Sequence, residues 1–168
     1  MTDTDVPSRS LTIEWDDPAP GAAQIPAVSG LDYVKGLADG TYPPAPIAKL
    51  MGFTLAEVEE GRVVFECRPG EQHYNPIGTV HGGLACTLLD SAIGCAAQTT
   101  LQPGQGYTSI DISVSYLRPI VAGSGPLRCE GVVTKPGSRV AFAEGRLTDG
   151  AGRLVATATS SLLVFALQ

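Results

Sequence analysis

Asp90 is the only formally charged side chain between Glu71 and Asp111, and it falls inside the most apolar stretch of the chain. A carboxylate taken out of water must be paired, hydrogen-bonded, protonated or put to use. Thr87 and Ser91 offer the ordinary solution, a satisfied structural carboxylate. Helix capping does not account for it, because Asp90 lies nine places into a helix expected to begin at His81. The other reading is a working carboxylate, base or nucleophile. Upstream, Asn75-Pro76-Ile77-Gly78-Thr79-Val80-His81-Gly82-Gly83 reads as a loop running straight into that helix. Glycines there let backbone N–H groups approach a ligand, and the unsatisfied N–H groups of a first helical turn favour negative charge. That is the design of an oxyanion hole, and equally that of a flexible loop with a plain glycine start. His81 alone points more to a structural hydrogen bond than to proton transfer.

The elements that must position these groups follow from periodicity. Residues 81 to about 100 are rich in Ala, Leu, Cys, Ile and Gly, long enough for a buried helix of roughly five turns. Before it, Phe53 to Val58 and Arg62 to Cys67 read as strands joined by a turn at Glu59-Glu60-Gly61. Strands are expected again over Tyr107 to Leu117, Leu127 to Thr134, Arg139 to Thr148 and Arg153 to Phe165, divided by Gly and Pro punctuation. In the first of these, Ile110, Ile112, Val114 and Tyr116 alternate with Ser109, Asp111, Ser113 and Ser115, predicting opposite faces. Small residues at alternate positions, Ala141, Ala143, Gly145 and Ala156, Ala158, Ser160, predict a helix lying close against the sheet. The expected class is therefore α+β, one long central helix wrapped by an antiparallel sheet of five or six strands. Residues 1–28, rich in Pro, Asp, Ser and Thr, read as an N-terminal arm, mobile or docked on the surface. Residues 29–168 read as one domain that opens with short helical segments near Leu31 to Ala38 and after Pro43-Pro44.

Composition narrows the function classes. A formal charge of −6 without a basic patch argues against nucleic acid as a partner. The start has acidic residues and no apolar core of a signal peptide, and the most apolar stretch carries Thr87, Asp90, Ser91 and Gln98, so neither export nor a membrane span is expected. A cytoplasmic protein is the resulting expectation. Cys67, Cys86, Cys95 and Cys129 are widely spaced with two histidines to join them, so they read as buried thiols; no metal site and no cofactor is expected.

Taken together, these residues resemble the hotdog-fold acyl-CoA thioesterases, in particular the phenylacetate-degradation type with its His-Gly-Gly motif and the animal mitochondrial relatives. The matching run is N-P-I-G-T-V-H-G-G-L-A-C-T-L-L-D, Asn75 through Asp90, supported by Ser109-Ile110-Asp111-Ile112 and by Tyr116 to Pro119. The likeness spans about Met51 to Leu163. It implies a hotdog fold and hydrolysis of acyl-CoA thioesters to CoA and a carboxylic acid. Asp90 would be general base or nucleophile, Gly82 the backbone donor to the thioester oxygen, Asn75 a positioning amide, and Ser109 a hydroxyl that positions water or carboxylate. His81 would support the turn and touch the thioester. Lys135-Pro136-Gly137-Ser138-Arg139 matches the turn that contacts the CoA nucleotide in the family, so Lys135, Gly137, Ser138 and Arg139, with Tyr116 nearby, are the expected substrate-binding residues. A basic pair and free N–H groups suit phosphate, and suit an ordinary hairpin turn as well. Tyr74, Tyr116 and Phe142 either line an aromatic acyl pocket or belong to the core.

Two rival readings remain at this stage: a hotdog hydratase or dehydratase, which would need His81 as base, and a non-catalytic acyl-CoA sensor, which would need a DNA-binding segment. Spacing adds one expectation of its own. Gly82 and Asp90 are eight residues apart, ~12 Å along a helix at ~1.5 Å per residue, too far for one carbonyl to meet both. Two antiparallel helices across a two-fold axis would bring Gly82 of one chain opposite Asp90 of the other, making a homodimer the minimal unit. The resemblance implies pairing of such dimers into a homotetramer.

Overall fold

The computed structural model describes residues 8–167; residues 1–7 of the expected arm lie outside them. The described part of the arm runs extended to a single helical turn, α1 (Ala19–Ala22), and touches the body through an ion pair from Arg9 Nε to Glu71 Oε2 at 3.3 Å. Two short helices follow. α2 (Gly30–Asp39) begins at Ser29, whose Oγ accepts from Asp32 N at 3.1 Å, and stops at Gly40. α3 (Pro46–Met51) has proline in its first turn and ends at Gly52.

The sheet is antiparallel and seven-stranded, built from β1 (Phe53–Glu59), β2 (Arg62–Cys67), β3 (Gln105–Ser109), β4 (Ser113–Tyr116), β5 (Leu127–Lys135), β6 (Val140–Thr148) and β7 (Leu154–Ala166). Its order is β1-β2-β5-β6-β7-β3, with β4 also on β7, so β3 and β4 form one free edge in two pieces. The long helix α4 (Gly82–Gln98) lies across the inner face. Leu84, Ala85, Leu88, Leu89, Ala92, Ile93, Ala96 and Ala97, spaced at i, i+3, i+4, are buried against Val63, Phe65, Leu127, Cys129, Leu147 and Leu162. The small residues on β6 and β7 do what their spacing predicts: a Cβ on Gly145 would stand 2.9 Å from Leu89. Gly131 on β5, which that spacing did not include, lies closer still, and a Cβ there would stand 2.3 Å from the Ala92 carbonyl.

The edge strand departs from expectation. Tyr107 to Leu117 is not one continuous strand: Ser109 pairs with Leu162 but Ser113 with Thr159, four residues advancing on one side for three on the other. The extra residue is a bulge, which reverses the facing of everything after it. Ser109 consequently faces inward, like Ile112 and Val114, while Ile110 is turned out to 57% exposure. Asp111 holds the bulge by accepting from Ser161 N at 3.2 Å.

Candidate active site

The loop before α4 is tied at both ends. Asn75 Oδ1 accepts from Ile77 N at 3.1 Å and Thr79 N at 3.2 Å, and its Nδ2 donates to Thr79 Oγ1 at 2.8 Å. Gly78 takes φ +79° within that turn, which favours glycine. Val80 N then donates to Ile120 O at 2.9 Å, and His81 N to His73 O at 2.7 Å. His73 is a contributor that sequence reasoning missed. It is buried, its Nδ1 accepts from Gly70 N at 3.0 Å, and burial lowers its pKa, with the Met51 backbone partly opposing.

His81 is the N-cap of α4. Its Nδ1 accepts from Gly83 N at 2.8 Å and its carbonyl from Leu84 N at 3.1 Å. The Gly82 N–H is left with no acceptor among the described residues, at the positive end of the helix dipole. Because Nδ1 accepts, neutral His81 carries its proton on Nε2 and presents a donor rather than a base. Both glycines are favoured by close approach. A Cβ on Gly83 would lie 2.8 Å from the His81 ring nitrogen, and one on Gly82 3.1 Å from the Tyr116 ring. The Tyr116 hydroxyl donates to Gly82 O at 3.2 Å. A cleft of about 320 Å³ opens here, lined by Gly82, Ala85, Tyr116, Arg118 and Val155 among others.

Two turns along the helix, Asp90 Oδ1 accepts from Ser109 Oγ at 3.1 Å, while Oδ2 has no hydrogen-bond partner among the described residues. Here lies a second cleft of about 400 Å³, lined by Cys86, Thr87, Asp90 and residues 109–112. The two clefts share no lining residue. Asp90 is exposed, contrary to the burial expected from its apolar surroundings in sequence. The reason is helical phase: the apolar residues face the sheet, and Asp90 falls on the opposite stripe with Cys86 and Thr87. Two of the four cysteines likewise differ from expectation. Cys67 and Cys129 are buried, whereas Cys86 and Cys95 are only partly so. Burial pushes the Cys67 thiol up to about 11 and, with Asp90 adding, that of Cys95 to about 12, so neither is a thiolate at neutral pH.

Lys135, Gly137, Ser138 and Arg139 form the β5–β6 hairpin, whose backbone closes so tightly that a Cβ on Gly137 would meet Val140 O at 2.0 Å. Tyr116 is not nearby within one chain. Val140 pairs with Leu163 and Tyr116 with Ala156, seven residues apart on β7 or roughly 23 Å at ~3.3 Å per residue. The hairpin instead lies toward Ser109, since Leu163 also pairs with Thr108. Phe142 stands on the outer face, 43% exposed, and Tyr74 packs against the core; neither joins Tyr116 in a pocket. The site residues thus fall into two groups on one subunit, Gly82 with His81 and Tyr116, and Asp90 with Ser109 and the hairpin.

A helix that exposes one carboxylate stripe across a sheet with a free edge is the arrangement of the hotdog thioesterases, and similarity to known proteins agrees. Residues 77–156 match the thioesterase superfamily. Human acyl-coenzyme A thioesterase 13 is 36% identical over 104 residues, 61% of this chain and 73% of that protein. A phenylacetic acid degradation-related protein of Ralstonia eutropha superposes with a TM-score of 0.70 at 27% identity, over 77% of this chain and 97% of that one. The E. coli PaaI protein of the phenylacetic acid degradation operon shares the fold, with a TM-score of 0.71 over 84% of this chain and 100% of its own at 19% identity. This chain belongs to the thioesterase superfamily.

Proposed function

We propose that the protein hydrolyses acyl-CoA thioesters to CoA and a carboxylic acid, at sites shared between two subunits of a homodimer. The observation that carries it is the exposed Asp90 carboxylate, steadied on Oδ1 by Ser109, on the same helix as the unpaired Gly82 N–H. The carbonyl oxygen binds Gly82 N–H, with the His81 Nε2–H available beside it. Asp90 Oδ2 acts on the carbonyl carbon, directly or through one water. As the C–O bond forms, negative charge gathers on the carbonyl oxygen, and the carbonyl re-forms as the C–S bond breaks and CoA leaves as thiolate. On the water route Asp90 takes the water's proton and the thiolate receives it. Direct attack instead leaves a mixed anhydride that a water then cleaves, releasing the acid, restoring Asp90 and supplying the proton to the thiolate. A single oxyanion donor of this kind is worth ~10²–10³ in rate.

Geometry supports the dimer. The two clefts are separate in one chain, and the β3–β4 edge beside the Asp90 cleft is unpaired. Two such edges brought together antiparallel would carry each Gly82 to the other chain's Asp90. Tyr116 then meets the hairpin of Lys135, Gly137, Ser138 and Arg139 from the other subunit, which supports their joint role in holding the CoA moiety. Asn75 keeps the Gly82 turn in shape. Phe142 and Leu163, both about two-fifths exposed on the outer sheet face, support further pairing into a tetramer. Four free thiols suit a reducing, cytoplasmic compartment. Among the described residues no helix is long and apolar enough to cross a membrane.

The hydratase reading is disfavoured by His81, whose Nδ1 is engaged as a cap. Release of free thiol from a panel of acyl-CoAs tests the function directly. No thiol release from any ester, or release that disappears with EDTA and returns with one divalent metal, would overturn this reading.

A further inference from the structure

The edge strand and the helix meet in two consecutive rungs. Ser109, facing inward from β3, reaches Asp90. Tyr107, two residues earlier and on the same face of the strand, reaches Gly94, four residues later on the same stripe of α4. The contact is so close that a Cβ on Gly94 would stand 2.3 Å from the Tyr107 hydroxyl oxygen. That hydroxyl has no hydrogen-bond partner among the described residues. Burial raises its pKa well above the usual tyrosine value, with Cys95, Asp90 and Tyr33 adding to the effect. On the far side, Tyr107 forms a wall of a chamber of about 310 Å³ beneath α2, whose other walls include Tyr33, Val34, Leu37, Phe165 and Leu167. Asp90 and Ser109 are not on that wall. The Tyr107 ring therefore stands one helical turn beyond Asp90, outside the lining of the Asp90 cleft and against an apolar space large enough to hold a ligand.

We propose that Tyr107 sets the acyl-chain length this enzyme accepts, its ring closing the acyl end of the site one helical turn beyond Asp90, with the chamber beneath α2 as reserve room behind it. The inference rests on the thioesterase reading of Asp90. From Asp90 to Gly94 is ~6 Å of helix, a span that takes a phenyl ring or a short aliphatic chain and stops a longer one. An acyl tail is the occupant that suits a chamber walled chiefly by aliphatic and aromatic side chains, one helical turn from the carboxylate. The ring, not the hydroxyl, performs the closure, since the hydroxyl has no hydrogen-bond partner among the described residues.

The test compares kcat/KM for butyryl-, phenylacetyl-, octanoyl- and lauroyl-CoA across variants of the full chain. Wild type should favour the first two. Tyr107→Ala should raise the lauroyl-to-butyryl ratio by at least about tenfold, the discrimination that small changes in an apolar pocket supply. Tyr107→Phe should keep the wild-type profile. Adding Leu37→Trp to Tyr107→Ala refills the chamber from the α2 side and should cancel the gain. Gly94→Ala displaces the ring from the helix side and should alter the profile with the other walls of the chamber unmutated, so the idea stays testable if Tyr107→Ala does not fold. A profile that ignores both Tyr107→Ala and Gly94→Ala in folded, active enzyme would overturn the gate, as would a Tyr107→Phe variant that behaves like Tyr107→Ala. Inertness of the wild type toward every ester is a different outcome, which overturns the thioesterase reading itself and the gate with it.

Discussion

Asp90 Oδ2 and the Gly82 N–H are two polar groups without a partner among the described residues where their neighbours are engaged, and that contrast supports the proposed roles at the residue scale. Asp90→Asn keeps the volume and the Ser109 contact but cannot take a proton or attack. Turnover should be abolished while the melting temperature stays near wild type, because the side chain is exposed and outside the core. A kcat within about tenfold of wild type, a barrier change under ~1.4 kcal/mol, would remove Asp90 from the mechanism. Ser109→Ala should be milder, since it loosens one oxygen of the carboxylate rather than removing the reacting one. Asp90 was legible in the sequence because an isolated charge in an apolar run is visible without any structure. The inward facing of Ser109 was not legible from periodicity. Simple alternation places it opposite Ile112 and Val114, and the bulge that reverses it depends on pairing with β7, some fifty residues away. Resemblance named Ser109 where periodicity misplaced it. Tyr107 was within reach, being two residues before Ser109, but a tyrosine in a strand reads as core until the bare Gly94 opposite it is seen.

At the element scale, the site depends on how closely α4 is pressed to the sheet. Gly131→Ala inserts a methyl 2.3 Å from the Ala92 carbonyl, where backbone cannot yield cheaply. Overpacking of this kind costs ~1–3 kcal/mol, which urea denaturation should register as a lower midpoint at unchanged slope. The alternation of small residues along β6 and β7 made this closeness legible, whereas the split of the edge strand was not. A second element-scale contact ties the β6–β7 turn. Asp149 Oδ1 accepts from Ala151 N at 3.0 Å and Arg153 N at 2.9 Å, and Oδ2 from Arg153 Nε at 2.8 Å. The Arg153 bond, with the turn's backbone N–H groups, holds the Asp149 pKa below its usual 3.8. A carboxylate depressed on folding stabilises the fold above its unfolded pKa, and that stability is lost as pH falls through the folded one. Asp149→Ala should therefore be less stable than wild type at neutral pH, and the gap should close as the pH is taken below about 4. Parallel pH titrations of the melting temperature check this; a gap that persists unchanged into acid would mean that Asp149 acts without its charge.

At the scale of the whole molecule, the two half-sites make a quantitative claim about assembly. In the proposed dimer each complete site takes Gly82 from one chain and Asp90 from the other, so a dimer holds two sites, and a mutation at either residue removes one half of a site. Asp90→Ala removes the acting carboxylate, and Gly82→Val drives a branched side chain toward the Tyr116 ring, 3.1 Å from where the first added carbon would lie. Homodimers of either variant have no intact site. A mixed dimer has one site carrying both lesions and one carrying neither. Equal co-refolding puts about half of the chains' dimers in mixed form, each with half of its sites whole, so activity should return to about a quarter of wild type. The recovery should track the mixed fraction as the input ratio is varied, with its maximum at equal amounts. If verified mixed dimers stay as inactive as their parents, then carbonyl and carboxylate must meet within one chain, which the separation of Gly82 and Asp90 along α4 forbids without unwinding the helix. Such a result would require the Gly82 N–H to have no part in holding the substrate.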